Sequence, residues 1–219
     1  MQSHPENWAV TTHEWTRTLD LEHIRRIQAD PSTFARSVWH LLLEVLAYAR
    51  DEASSKGTGH ATVTLHADGT IDVTDNGRGT DTRTDQTGRL VRKPVMATRD
   101  VRFFDDPTAE LLLDGFPRRG MSVVAGSSDV LVHTNRRHDG AWTQRYEHGL
   151  PVQDLSPAPT DGTTGTTVTF RPRPDLPGIA STATDLGHRL ERLLPLTVEL
   201  RDQRTPAGNP SSPLPERAD

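Results

Sequence analysis

Between Ser37 and Thr80 the chain switches from a helical to an alternating hydrophobic period and then stops on two glycines, an order of events that few folds accommodate. From Thr33 to about Ser54 the spacing predicts one long helix. Phe34, Val38, Leu41, Leu42, Val45 and Ala49 fall on a single stripe, and Asp30-Pro31-Ser32 is a start signal. His40, Glu44 and Tyr48, at i, i+4 and i+8, line one flank of that helix, with Asp51 close by. A hairpin follows. Val63 and Leu65 alternate with Thr62, Thr64 and His66, Ala67-Asp68-Gly69-Thr70 supplies the turn, and Ile71 and Val73 alternate with Asp72 and Thr74. Continuing the alternation places Asp75 on the apolar face, where a carboxylate is costly unless something hydrogen-bonds to it. Gly77 and Gly79 then allow a sharp turn.

The rest of the chain supplies the partners that such a helix and hairpin need. A short helix is expected in DLEHIRRIQAD, a loop running into a short helix in GFPRRGMSVVAGSS, and strands in DVLVHTNRR, WTQRYEHG and TGTTVTFRPR. An amphipathic helix, ATDLGHRLERLLPL, and a last strand, TVELRDQR, follow. From Asp81 to Asp114 the pattern is weak and predicts a long, partly mobile segment. Residues 1–17 read as a flexible polar arm, 18–204 as one folded domain, and 205–219, rich in Pro, Ser and Gly, as a disordered tail. The fold class is α+β, a sandwich with helices on one face of a mostly antiparallel sheet.

Charge and composition exclude several functions. With 25 basic and 30 acidic residues, a net charge of −5 argues against DNA binding by this domain alone. There is no cysteine, so no disulfide framework or thiolate zinc site, and the ten histidines show no metal-ligand spacing. No metal site is expected. No apolar run approaches a membrane span and the N-terminus lacks a signal pattern, so a cytoplasmic protein without membrane contact is expected.

The strings RDEA (Arg50 to Ala53), DNGRG (Asp75 to Gly79), RYEHGLP (Arg145 to Pro151), GTTVTF (Gly165 to Phe170) and RLERLLPLTVELRDQR (Arg189 to Arg204) stand in an order that resembles the ATP-binding domain of the gyrase B family. That family belongs to the GHKL superfamily with the Bergerat nucleotide fold, and the resemblance runs from about Leu19 to Arg204. It implies that Asp75 accepts the adenine amino group, with Thr166 as the neighbouring hydroxyl and Gly79 in the tight turn. It also implies that Arg78 and Glu52 clasp the pocket rim, that Arg137 stands near the mouth, and that Glu44 is the general base supported by His40.

The phosphate end departs from that pattern. The position of the family's magnesium-holding Asn is Tyr48, and the neighbouring acidic position is Ala47. A phenol cannot replace an amide oxygen on Mg²⁺. The glycine-rich lid reads Gly115-Phe116-Pro117-Arg118-Arg119-Gly120, so its backbone N–H groups are not expected to wrap phosphates. Arg118 and Arg119 read as solvated loop charges, with anion contact as the alternative. Nothing in the sequence resembles the family's second domain, so a free-standing domain is expected.

Two functions stay open beside a third, an interaction domain that dimerises through its N-terminal arm, which the shortness of that arm weakens. One is a ligand-binding pseudo-ATPase that keeps the adenine end, with an adenine nucleotide or a small molecule of the kind that targets gyrase at this site as its partner. Magnesium is disfavoured, and a monomer or weak homodimer is expected. The other is an enzyme, either a weak GHKL ATPase or a pocket converted to proton transfer by Glu44, His40 and Tyr48.

Overall fold

Three side-chain caps partition the helical start of the domain. In this computed structural model, which describes residues 19–84, 90–92, 96–100, 102–104 and 108–204, Asp20 accepts the His23 N–H and opens α1 (Leu21–Ala29). Asp30 caps α2 (Pro31–Phe34), and Ser37 caps α3 (Val38–Lys56) by accepting from His40 N at 3.4 Å. The single helix expected from Thr33 is therefore two. Ala35 and Ser37 are both extended, and the Ser37 hydroxyl offers the backbone an alternative to continued helix. Phe34 accordingly belongs to α2 rather than to the α3 stripe. Helix α3 ends on Gly57 at φ 81, a conformation that glycine adopts without strain. The expected arm and tail, 1–17 and 205–219, lie outside the described residues.

The remaining elements are β1 (Gly59–Leu65), β2 (Ile71–Asp75), β3 (Thr82–Thr84), β4 (Leu90–Arg92), α4 (Met121–Gly126), β5 (Ser128–Arg137), β6 (Gly140–Glu147), β7 (Leu150–Pro151), β8 (Ser156–Pro157), β9 (Gly165–Pro172), α5 (Ala183–Leu190) and β10 (Leu196–Asp202). A turn of 3₁₀ helix, Glu191–Leu193, ends α5. The weakly patterned stretch after Asp81 thus contains a separate two-stranded pairing of β3 with β4. The main sheet runs β10-β1-β2-β9-β5-β6-β7, with β8 also on β6, and β1–β10 is its parallel pair. This is an α+β sandwich with a mostly antiparallel mixed sheet.

Alternation sorts the sheet into two unlike faces. Ala61, Val63, Leu65, Ile71, Val73, Leu131, Val168 and Phe170 are buried in one core with α3 and α4. Residues 38–47 of α3 are buried without exception, so the helix is enclosed on all sides and not along a single stripe. That enclosure takes His40 and Glu44 into the interior with it. On the other face the register aligns five threonines across five neighbouring strands: Thr62, Thr74, Thr167, Thr134 and Thr143. Thr74 and Thr167 approach to 3.1 Å and Thr134 and Thr143 to 3.2 Å through their hydroxyls, cross-strand pairs that add to ladder stability. Among the described residues no helix is long and apolar enough to cross a membrane.

Candidate functional site

Asp75 ends β2 beside β9, and its carboxylate ties the two together. Oδ1 accepts from Gly77 N at 2.7 Å, while Oδ2 accepts from Thr166 N at 3.2 Å and from the Thr166 hydroxyl. A carboxylate has about four acceptor positions, so these bonds fix its orientation and leave capacity for a ligand donor. The approach depends on Gly165, at φ 126, where a Cβ would overlap the Asp75 carbonyl oxygen. Gly79, at φ 79, is needed for a similar reason: a Cβ there would meet Arg136 O and Asn135 Oδ1 at 2.6 Å.

The rim is built from charge. Arg78 donates to Glu52 through Nε at 2.7 Å and Nη2 at 2.9 Å, a bidentate fork that joins the turn to α3. Arg78 holds the Glu52 carboxyl below the usual range against the opposing effect of burial. Arg137 donates to Gly79 O at 3.3 Å and to Asp81 at 2.9 Å, so it braces the turn from the sheet side. Ala49, Glu52, Ala53, Asp75 and Gly77 line a cleft of about 140 Å³ between α3 and this turn. Asn135 was not singled out in the sequence, yet it is buried and grips Thr80 through N (2.7 Å) and O (2.9 Å). Nothing local marks it, because it lies 55 residues from the segment it holds.

The other end is closed by the protein's own side chains. His40 and Glu44 are both wholly buried, with His40 Nε2 3.3 Å from Glu44 Oε1, an ion-pair contact of poor hydrogen-bond geometry. His40 Nδ1 lies 2.8 Å from Asp114 Oδ2. Burial alone would lower the imidazole pKa, but Asp114 and Glu44 outweigh it and push it up to about 9. Asp114, also missed in the sequence, sits at the head of an Asx turn in which its Oδ1 accepts from Phe116 N at 3.0 Å. Glu44 accepts from Arg119 N and, at 2.8 Å, from Gly120 N. Two N–H groups of the 115–120 segment thus converge on the Glu44 carboxylate.

Tyr48 does not join His40 and Glu44 in one hydrogen-bonded set. Its hydroxyl donates to Asp100 Oδ2 at 2.8 Å, and Asp100, itself buried, also accepts from Arg102 Nη2 at 2.7 Å and Nε at 3.0 Å. Burial, and then Asp100, hold the phenol far above its ordinary pKa. Gly120, at φ 96, makes room for this group: a Cβ would stand 3.0 Å from the Tyr48 hydroxyl and 3.1 Å from Asp100 Cβ.

Arg118 corrects the sequence reading most sharply. It is 1% exposed rather than solvated. Its guanidinium donates to Asp51 at 2.8 and 3.1 Å and to Glu110 at 3.3 Å, with its carbon 4.7 Å from the Tyr48 ring centre and 4.2 Å from that of Phe103. Arg119 is not free either. It donates to the carbonyls of Phe103 and Phe104 at 3.0 and 3.2 Å. Gly115, at φ 74, faces open space.

A helix carrying an inward carboxylate, a strand ending in Asp-Asn-Gly-Arg-Gly and a glycine-bearing lid at the start of α4, all on one sandwich, define an ATP-binding fold of the GHKL type. No family profile matches the chain. Over 149 residues it is 34% identical to the DNA gyrase B protein of Haloferax volcanii, covering 64% of this chain and 23% of that protein. Over 185 residues it is 31% identical to the DNA gyrase B protein of Mycolicibacterium smegmatis, covering 80% and 27%. It is 30% identical to the DNA topoisomerase 4 B protein of Bacillus subtilis over 182 residues, covering 79% and 27%. The chain belongs to the gyrase B-type ATP-binding domain family, and it spans about a quarter of the length of the curated relatives it matches.

Proposed function

We propose that this domain is a ligand-binding pseudo-ATPase, which takes a small molecule at the Asp75 end and does not turn over magnesium ATP. The observation that carries the reading is Arg118, buried between Tyr48 and Phe103 on the Asp51 carboxylate. It fills the space beside Glu44 with a side chain that already has its counter-ion, so an incoming polyphosphate would have to break a buried pair. Three features add support. Glu44 uses both oxygens on Arg119 N and Gly120 N, which leaves it poorly placed to take a proton from water. Tyr48 offers a phenol committed to Asp100 where the family pattern calls for an amide oxygen on the metal. The residues present therefore do not fit Mg²⁺ with a triphosphate. The burial of His40 and Glu44, and the Tyr48–Asp100 bond, also weigh against a proton-transfer set made of the three.

The Asp75 end keeps what recognition requires, namely an oriented acceptor, a glycine turn and a bidentate rim clasp. Its ligand class is an adenine nucleotide or a small molecule of the kind that occupies this end of gyrase B. In the second case the domain would sequester a gyrase inhibitor. Calorimetric titration with ATP plus Mg²⁺, with ADP and with an adenine-site gyrase inhibitor tests this. Binding of inhibitor or ADP without magnesium dependence is expected, and it should be lost in Asp75→Ala. Magnesium-dependent ATP binding followed by phosphate release would overturn the reading.

A further inference from the structure

Arg136 and Arg137 are neighbours on β5, so they point to opposite faces of the sheet. Arg137 braces the Gly79 turn and is paired with Asp81. Arg136, half-buried, lies on the threonine face, where Nε donates to the Thr163 hydroxyl at 3.2 Å and Nη1 to the Thr167 hydroxyl at 3.0 Å. Both partners are neutral. Among the described residues no carboxylate lies within ion-pair distance of this guanidinium and Nη2 has no acceptor, whereas Arg78, Arg118 and Arg137 each hold a carboxylate. Beside it is a cleft of about 190 Å³ lined by Arg136, Arg137, His138, Thr160 and Thr163, with Ala141 and Gly162 completing the wall and no acidic residue in the lining.

The nearest acid belongs to the loop itself. Asp161 accepts from Thr163 N at 2.9 Å and from the Thr163 hydroxyl at 2.5 Å. Those bonds hold its carboxyl below the usual range, with a smaller contribution from Arg136. Thr163 thus donates to Asp161 and accepts from Arg136, orienting the fork without neutralising it. A guanidinium fixed by two hydroxyl oxygens has lost much of its rotamer freedom before a ligand arrives, which favours planar, bidentate recognition. In a chain of net charge −5, a cleft lined by donors and no carboxylate is a local exception.

We propose that this cleft is a binding site for a small oxyanion, the phosphoryl or carboxylate group of a ligand, anchored by Arg136, which Thr163 orients, and completed by the hydroxyl of Thr160. It is separate from the Asp75 cleft and does not depend on what that cleft binds.

Titration of the ¹⁵N-labelled full chain with inorganic phosphate, and in a parallel arm with citrate, tests the proposal at constant ionic strength held by sodium chloride. Saturable amide shifts are expected at residues 136–138 and 160–163. Phosphate alone, citrate alone or both producing them supports the site and identifies the group it prefers. Arg136→Gln should weaken the apparent Kd about tenfold or more, as for loss of a charged hydrogen bond. Arg136→Lys, which keeps the charge but not the fork, should fall between, and Asp161→Asn should tighten binding by removing the competing carboxylate. Arg145→Gln, at a paired arginine on the same face, should leave the Kd unchanged. Shifts that follow ionic strength alone, no shift in either arm, or an Arg136→Gln spectrum that is well dispersed and titrates like the parent would overturn it.

Discussion

Raising the pH through the range where His40 loses its proton should loosen the domain. The imidazole is wholly buried, 2.8 Å from Asp114 and 3.3 Å from Glu44, and its pKa is about 9 against an ordinary 6.5. The folded state therefore binds the proton more tightly than the unfolded chain does. This stabilisation is fully present below about pH 6.5, declines as pH rises, and is gone above about 9. A pKa difference of that size corresponds to at most about 3 kcal/mol. With a urea dependence near 2 kcal/mol per molar, the unfolding midpoint should fall by up to about 1.5 M between pH 6 and pH 9.5. Urea titrations followed by circular dichroism at four or five pH values read this directly. His66, raised in the same direction mainly by its bond to Asp72, lies at the surface and adds little. His40→Gln keeps His66 and removes the buried cation, so its midpoint should be lower at pH 6 yet nearly flat with pH. A parent midpoint that does not move between pH 6 and 9.5, or a His40→Gln variant that falls as steeply as the parent, would refute the reasoning.

The other expectations concern the two ends of the site. Tyr48→Asn alone should give no magnesium-dependent phosphate release, because Arg118 still fills the neighbouring space; turnover by the single variant would show that Arg118 is no obstacle. Arg118→Ala should cost about 2 kcal/mol in urea unfolding, mostly through lost packing between two rings, since Asp51 is 41% exposed and can be rehydrated. Gly165→Ala should lower stability by about 4 kcal/mol or more, because the new Cβ overlaps the Asp75 carbonyl and neither backbone can yield; an unchanged melting temperature would contradict the described β2–β9 contact. Asp75→Ala should lose about 1–3 kcal/mol by stranding the Gly77 and Thr166 donors, beyond its effect on ligand binding.

Glu44 and His40 are one helical turn apart on α3, and each is engaged by groups from a distant part of the chain. Arg119 and Gly120 deliver two backbone N–H groups to Glu44, and Asp114 takes the far side of the imidazole. Gly120 adopts a conformation that suits the Tyr48–Asp100 contact.

The sequence by itself determined the elements whose information is local. Period-two alternation placed β1 and β2, glycine at the turns fixed where they end, and the i, i+4 spacing put His40 and Glu44 on one flank. The Glu52–Arg78 clasp and the Thr166–Asp75 bond were legible too, as positions carried over from a related family. Some local signals misled. Ser37 read as helix interior, although its hydroxyl is a cap, and Arg118 and Arg119 read as surface charges because arginine in a loop is normally solvated. What only the tertiary structure decided are the pairings across long separations. Asp114 lies 74 residues from His40, Asp100 lies 52 from Tyr48, and Arg118 lies 67 from Asp51. The row of five threonines and the acid-free lining of the cleft beside Arg136 likewise arise only once strands from distant parts of the chain come into register. Burial is the physical reason for the difference. A side chain's charge and hydrogen-bonding capacity are written in its identity, but which partner meets it, and whether water is excluded, follows from packing alone.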